Sequence, residues 1–587
     1  MILQALYDYY QRKANILPQE GFELKELKFV IIINRNGEFV DLQDLRENRR
    51  GKIFLLPKSQ SRTGKNAWQN ASLLWDHYGY VLAHPKDDSV DAIQMALNQH
   101  ETFIEKIKQL PPEIKNDVGV QAVLQFYQMN QIEKVKSHPT WEDCKRIPGC
   151  NLTFRFDGEI ELIPQREAIN EYVKSISRNN SDEDGEASGL IAPCLITGER
   201  RNIARLHTPT PIPGGKSNAR LVAFQINSGF DSYGKLKAFN APISKSAESA
   251  YTTALKHLIS SKSNKVIVAD TTIVFWAEKK TEEVNTEEIF AFLVAQKADE
   301  DNPDKGVQVI ESFINSVFTG KLSSEKTNHF YVLGLSPNAA RISVRFWKAP
   351  SVEDFGQNIK KHFDDFEIVH GPKDQKYLSL YQILSSTALS YKMDNVPPNI
   401  AGAIIESIID GTPYPKTLMQ QCIRRIRAEQ NVNRTRAAIL KAYLNRFNKI
   451  YNQNEKEITM GLDPNNTNVA YRTGRLFAAL EKIQEESALP AKINTTIRDR
   501  FYGAASSSPV TVFPRLLSLK NSHLKKLSEG RKIYFEKLVG EILSEVVSFP
   551  TNLSLNEQAN FAIGYYHQRQ DFFTSKSDKT LNETNNN

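Results

Sequence analysis

The stretch KFVIIINRNGEFVDL, residues 28–42, holds two apolar runs on either side of Asn36-Gly37. Asn-Gly suits a two-residue turn because both positions tolerate positive φ, so a β-hairpin is predicted here. N-terminal to it, MILQALYDYYQRK (1–13) spaces its apolar residues as a helix does. C-terminal to it, GKIFLLP (51–57) reads as a third strand, followed by the polar loop SQSRTGKNAWQN (59–70) and the aromatic run LLWDHYGYVLAHP (73–85). Helical periodicity returns from Ser89 to Leu110 and from Val118 to Val135. NLTFRF (151–156) and EIELI (159–163) then flank Asp157-Gly158 as a second predicted hairpin. A first mixed unit over 1–180 follows.

SRNNSDEDGEASG (177–189) has no periodicity and many small or acidic residues, which predicts a linker. Beyond it, CLIT (194–197), ARLVAFQI (219–226), KVIVAD (265–270) and TTIVFWAE (271–278) read as strands, with a helix over 244–261. FYVLGLS and ARISVRFW flank SPNAA as another hairpin, completing a middle mixed unit over 190–375. From Lys376 onward the period becomes 3.6, interrupted at DNVPPN, DGTPYP and LDPNNTN. The predicted class is therefore α+β and multidomain: two mixed units, then an all-α helical bundle over 376–587.

Among the 587 residues the net charge is +7, and its placement is uneven. Between Arg46 and Asn66 seven basic residues face one acid, Glu47. From Arg200 to Lys262 ten face Asp231 and Glu248, and from Pro397 to Tyr451 nine face three. Clustered Lys and Arg release counterions from a polyanion, so three such windows point to nucleic acid as a partner. The four cysteines, Cys144, Cys150, Cys194 and Cys422, include no Cys-x-x-Cys pair, so structural zinc is not expected. The first residues lack a basic start before an apolar run, and no stretch reaches the ~18 apolar residues of a membrane span. A cytoplasmic location without membrane attachment is expected.

Two segments invite an enzymatic reading. GFDSYGKL (229–236) imitates a phosphate loop through Gly229, Gly234 and Lys235, but Leu236 replaces the Ser or Thr that holds magnesium. HFDDFE (362–367) lies in SVEDFGQNIKKHFDDF, which reads as one amphipathic helix with Phe355, Ile359, His362 and Phe366 on its buried stripe. No catalytic residue, metal site or cofactor is predicted. What remains are loops combining glycine with polar and basic residues, which suit phosphate and base-edge contact. Gln60, Arg62, Lys65, Asn66 and Asn70 form the first set. Lys216, Ser217, Asn218, Arg220, Tyr233, Lys235 and Lys237 form the second, and Arg424, Arg427 and Arg434 form a helical set suited to a single strand.

Seven blocks carry a family likeness: MILQALYDYY (1–10), SRTGKNAWQNASLLWDHYGYVLA (61–83), LITGERRNIARLHTP (195–209), NAPISKSAESAYTTALKHLI (240–259), DTTIVFWAE (270–278), IRDRFYGAASSSPVTVFPRLL (497–517) and FAIGYYHQRQDFF (561–573). In content and order they resemble the large subunit of the type I-C CRISPR Cascade complex. The resemblance implies a non-catalytic subunit that joins a guide RNA and the Cascade backbone and small subunits. It implies that the subunit reads the protospacer-adjacent motif of target double-stranded DNA, helps open the duplex, stabilises the R-loop and supports recruitment of a helicase-nuclease. The loop from Arg62 to Asn70 is the first candidate for the duplex motif, and the loops at Lys216 and Lys235 the second. The resemblance also implies that 460–587 is like the small subunit, with Met460 as an internal start. Arg498, Arg500, Arg515, Lys525 and Lys526 would then meet displaced strand or guide-target duplex. A CRISPR-associated nuclease or RNA-processing enzyme, and a pure protein scaffold, are the alternatives.

Overall fold

The computed structural model describes residues 1–59, 62, 66–182, 190–225, 229, 234–268, 270–279, 285–294, 305–318, 328–397, 399–490 and 494–573. The chain is mixed α/β, with small sheets in the N-terminal half and helices dominating the C-terminal region. It gathers into two compact units. One comprises Met1–Pro211, Lys216–His257 and Ala339–Ile342, and the other Ile212–Gly215, Leu258–Asn338 and Ser343–Asn587. The segment expected as a middle unit is shared between them.

The first unit opens with helix α1 (Ile2–Arg12) and strands β1 (Phe22–Leu27), β2 (Phe29–Ile33), β3 (Phe39–Asp44), β4 (Lys52–Pro57) and β5 (Trp75–His77). Helices α2 (Tyr78–Leu82), α3 (Val90–Lys108), α4 (Pro112–Lys115), α5 (Val118–Gln128), α6 (Ile132–Lys136) and α7 (Trp141–Lys145) precede β6 (Asn151–Phe156) and α8 (Glu167–Asp182). Strands run β3-β2-β6-β5 in the main sheet. The expected hairpin is there: β2 and β3 pair antiparallel, and Gly37 turns at φ +80. A Cβ at Gly37 would also lie 2.5 Å from the Ala122 carbonyl oxygen, so the turn tip lies tight against α5. All five residues of β2 are buried. Phe29, Ile31 and Ile33 join Phe103, Val123 and Phe126 in one core, while Val30 and Ile32 join Leu56 and Trp75 in another.

GKIFLLP is a strand, as expected, pairing with β1 in a separate two-stranded ribbon, but four other sequence expectations are corrected. EIELI forms no second hairpin: both edges of β6 are taken, by β2 in parallel and β5 in antiparallel, leaving a single bridge between Arg155 and Leu162. The predicted linker starts too early, because α8 continues to Asp182; residues 183–189 lie outside the described residues. CLIT is a turn between the short paired strands β7 (Ile191–Pro193) and β8 (Arg200–Asn202). Across the described residues of ARLVAFQI the only ladder contact is an isolated bridge at Arg220. Helix α9 (Lys245–Ser260) then forms as expected.

In the second unit β9 (Lys265–Val268), β10 (Thr271–Ala277), β11 (Phe330–Asn338) and β12 (Arg341–Lys348) make an antiparallel sheet in the order β12-β11-β10-β9. Helices α10 (Thr286–Val294), α11 (Lys305–Phe318) and α12 (Val352–Phe366) share its core, with Phe275, Phe290, Phe330 and Phe355 in contact. The helical region therefore begins at Val352 rather than Lys376. The predicted stripe of α12 is buried, and His362 Nδ1 meets the Tyr414 hydroxyl at 2.8 Å. Helices α13 (Leu380–Ser386), α14 (Ile400–Asp410), α15 (Lys416–Glu429), α16 (Arg434–Tyr451), α17 (Val469–Ser487), α18 (Ile497–Ala505), α19 (Pro509–Leu524), α20 (Glu529–Leu543) and α21 (Leu555–Asp571) continue the same core. α16 is central, with every residue from Arg436 to Arg446 buried. No described helix is long and apolar enough to cross a membrane.

Candidate nucleic-acid interface

In the first unit, the loop expected to read duplex is built around a buried carboxylate. Asp76, 1% exposed, accepts hydrogen bonds from the backbone N–H groups of Ser72 and His77, both at 2.8 Å. Arg62 Nη1 donates to Asp76 Oδ1 at 2.9 Å, Nη2 to Oδ2, and Nε to the Asn70 carbonyl at 2.8 Å. The guanidinium also lies over the Tyr80 ring at 4.3 Å. Arg62, its side chain 27% exposed, is thus tied to Asp76 and to the Asn70 carbonyl. Asn66 stands exposed before the short turn Ala67–Gln69, Asn70 is half-buried, and Gln60 and Lys65 lie outside the described residues. Arg62→Ala should destabilise this unit by about 2–3 kcal/mol, because Asp76 would stay buried without its cation. Urea unfolding of the purified protein checks this: an unchanged midpoint would mean the arginine does not hold the loop.

The second set of loops is drawn together by one segment, residues 203–210. His207 Nδ1 meets the Tyr251 hydroxyl and Thr208 N–H donates to Glu248 Oε1, each at 2.5 Å, which pins the segment to α9. Arg220 Nε donates to the His207 carbonyl at 2.6 Å, and Thr210 N–H donates to the Ala219 carbonyl at 2.8 Å. Between these tethers Lys216, Ser217 and Asn218 form an exposed turn. Ala238 N–H donates to the Arg205 carbonyl at 3.2 Å, so exposed Arg205 lies beside the turn that carries exposed Lys235. Lys237 is half-buried and Tyr233 lies outside the described residues. After Lys235 the chain makes a short 3-10 turn at Lys237–Asn240, and α9 starts only at Lys245. No α-helix N-terminus follows the glycines directly, as a phosphate loop requires.

The helical window divides sharply. Arg436 is fully buried, donating to the Ser386 and Asn431 carbonyls at 3.0 and 2.9 Å and to Glu429. Arg446 donates to Asp365 at 2.5 Å and to the Ser407 and Thr412 carbonyls at 2.8 and 2.7 Å, while Lys441 donates to the Asp365 carbonyl at 3.0 Å. Arg434, expected on a phosphate path, is also committed: it donates to the Gln375 carbonyl and, at 2.8 Å, to that of Lys376. On α15 the picture reverses. Lys416, Gln420, Arg424 and Arg427, at spacings of four, four and three, are all exposed. They follow one helix face, and among the described residues none of the three cations has an ion-pair partner. Lys416 and Gln420 were not singled out from sequence, although the spacing in KTLMQQCIRRIR was the available signal.

Further along, Arg500–Ser528 contains no acidic residue. Arg500, Arg515, Lys525 and Lys526 are exposed there, whereas Arg498 is half-buried 3.8 Å from Glu481. Met460 is 47% exposed and its carbonyl accepts the Val369 N–H at 2.9 Å, ahead of α17. Among the described residues, no group of three or more His, Cys, Asp or Glu is placed to hold a metal ion. The arrangement is one of fixed loops and a helix face that can neutralise phosphates.

A family model described as CRISPR-associated protein (Cas_Csd1) matches residues 6–573. No curated protein matches the chain.

Proposed function

We propose, since this chain belongs to the Cas_Csd1 family of CRISPR-associated proteins, that it is the large subunit of a type I-C Cascade complex acting in the cytoplasm. It binds target DNA beside the guide RNA, recognises the protospacer-adjacent motif, helps open the duplex and steadies the displaced strand. Cleavage belongs to a separate helicase-nuclease whose recruitment it supports, and the chain does no chemistry itself. Asn66 and the Lys216–Asn218 and Lys235 turns face duplex, and the helical region holds single strand. A second polypeptide starting at Met460 supplies the small subunit.

The observation that carries this reading is the cationic face of α15 on a chain of this family. Lys416, Arg424 and Arg427 are exposed, aligned and unpaired among the described residues, whereas neighbouring arginines of the same window are held inside. Three aligned cations match a phosphate backbone, and each neutralised phosphate releases counterions. The experiment is to convert Lys416, Arg424 and Arg427 to alanine together and measure target-duplex binding by the assembled complex. Binding should weaken on the order of 100-fold at physiological salt, with subunit and guide-RNA content unchanged.

A further inference from the structure

Among the described residues, helix α3 has a surface that its own unit leaves uncovered. Its first three turns face inward through Ala92 and Ala96 only, and the large apolar contacts, Phe103 and Ile107, come later. On the outer side Val90, Ile93 and Leu97 are 82%, 45% and 51% exposed. Their spacing of three and four puts them on successive turns of one face. Single exposed apolar residues are ordinary on a protein surface, but a continuous helical stripe of three is the form that a docking face takes. The surrounding charge says what docks. Asp87, Asp88, Asp91 and Glu101 are exposed around the stripe, with Lys86 as the nearest cation in sequence. Such a rim repels phosphate and attracts lysine and arginine.

We infer that the α3 stripe is a protein-docking site, occupied by a segment of another subunit that presents apolar side chains flanked by Lys or Arg. This rests on the assembly half of the proposed function and not on its DNA-binding half. The basic faces of the chain meet nucleic acid, and this acidic, apolar face meets protein. Complementary charge orients the partner segment and its apolar side chains cover Val90, Ile93 and Leu97.

The test uses the full chain, with Leu97 replaced by p-benzoyl-phenylalanine, assembled with guide RNA and the other protein subunits, then given target duplex and the helicase-nuclease. On irradiation, position 97 should cross-link to a peptide of another subunit that has apolar residues within a few positions of Lys or Arg. Val90→Ser, Ile93→Ser and Leu97→Ser together, or Asp88→Lys with Asp91→Lys, should weaken retention of that subunit at least tenfold. All these side chains are exposed, so the far-ultraviolet circular dichroism should not change. Cross-links to nucleic acid, to this chain alone, or to nothing, in a complex that still assembles and binds target, overturn this inference and leave the proposed function standing. An unsubstituted parent chain that enters no complex overturns both.

Discussion

Gly474→Val should lower the melting temperature of the second unit by roughly 5–10 °C, a loss of about 3 kcal/mol. α17 and α21 approach each other through two glycines. A Cβ on Gly474 would lie 2.0 Å from the Phe561 carbonyl oxygen, and one on Gly564 would lie 2.1 Å from that of Tyr471. Both obstacles are helix backbone, so no rotamer change relieves the clash and the helices must separate along their seam. Around it, Phe477, Tyr502, Phe561 and Tyr565 pack ring to ring, and their burial is what separation gives up. Gly564→Val should act alike, and the double variant should lose less than the sum because one separation serves both. Gly540→Ala on α20, where a Cβ meets nothing within 4 Å, should instead stabilise by up to about 1 kcal/mol. Both seam glycines lie within 460–587, so a polypeptide begun at Met460 would keep this contact. A Gly474→Val protein that melts with the parent would show that the seam is not what holds the bundle.

Acidification from pH 7 to pH 5 should weaken the same unit through two buried histidines, by about 2 kcal/mol from His567 alone. Burial pulls His567 down to about 3, with Lys441 adding to the fall, and burial together with Arg446 holds His362 well below its usual value. Each ring nitrogen Nδ1 meets a tyrosine hydroxyl, Tyr471 for His567 at 2.9 Å and Tyr414 for His362 at 2.8 Å. In the unfolded chain both titrate near 6.5. Below that pH the unfolded state binds protons that the folded state refuses, so the stability present above 6.5 is lost as pH falls, about 2 kcal/mol of it through His567, with His362 acting in the same direction. Urea unfolding at the two pH values measures the loss. His362→Gln with His567→Gln should flatten the dependence, and a wild-type midpoint that does not move between pH 7 and pH 5 contradicts the assignment.

How far the sequence could be read depended on whether the deciding contacts were local. The hairpin at residues 29–44 was legible because its two apolar runs and their turn are adjacent in the chain, although the turn closes from Asn34 to Gly37 and only Gly37, not Asn36, takes positive φ. The stripe of α12 was legible for the same reason. EIELI failed because strand pairing depends on which edges are free, and the edges of β6 were filled by β2 and β5 from distant positions. The site divided along the same line. Arg424 and Arg427 could be read as an exposed face from their spacing, whereas Arg436 and Arg446 looked equally basic in sequence. Their burial follows from α16 lying at the centre of the unit, where carbonyls of other segments and Asp365 accept their protons. Arg62 was misleading in the same way, since its partner Asp76 is fixed by the β5 region that follows the loop.

The central claim, that the α15 face binds target phosphates, is tested most directly by the salt dependence of target binding. Association constants for the assembled complex and a target duplex, measured from about 50 to 200 mM salt, give a slope of log K against log salt. With Lys416, Arg424 and Arg427 all changed to alanine, that slope should become shallower by about 2–3, because each of the three side chains neutralises about one phosphate. Equal slopes and equal affinities in parent and variant would contradict the account.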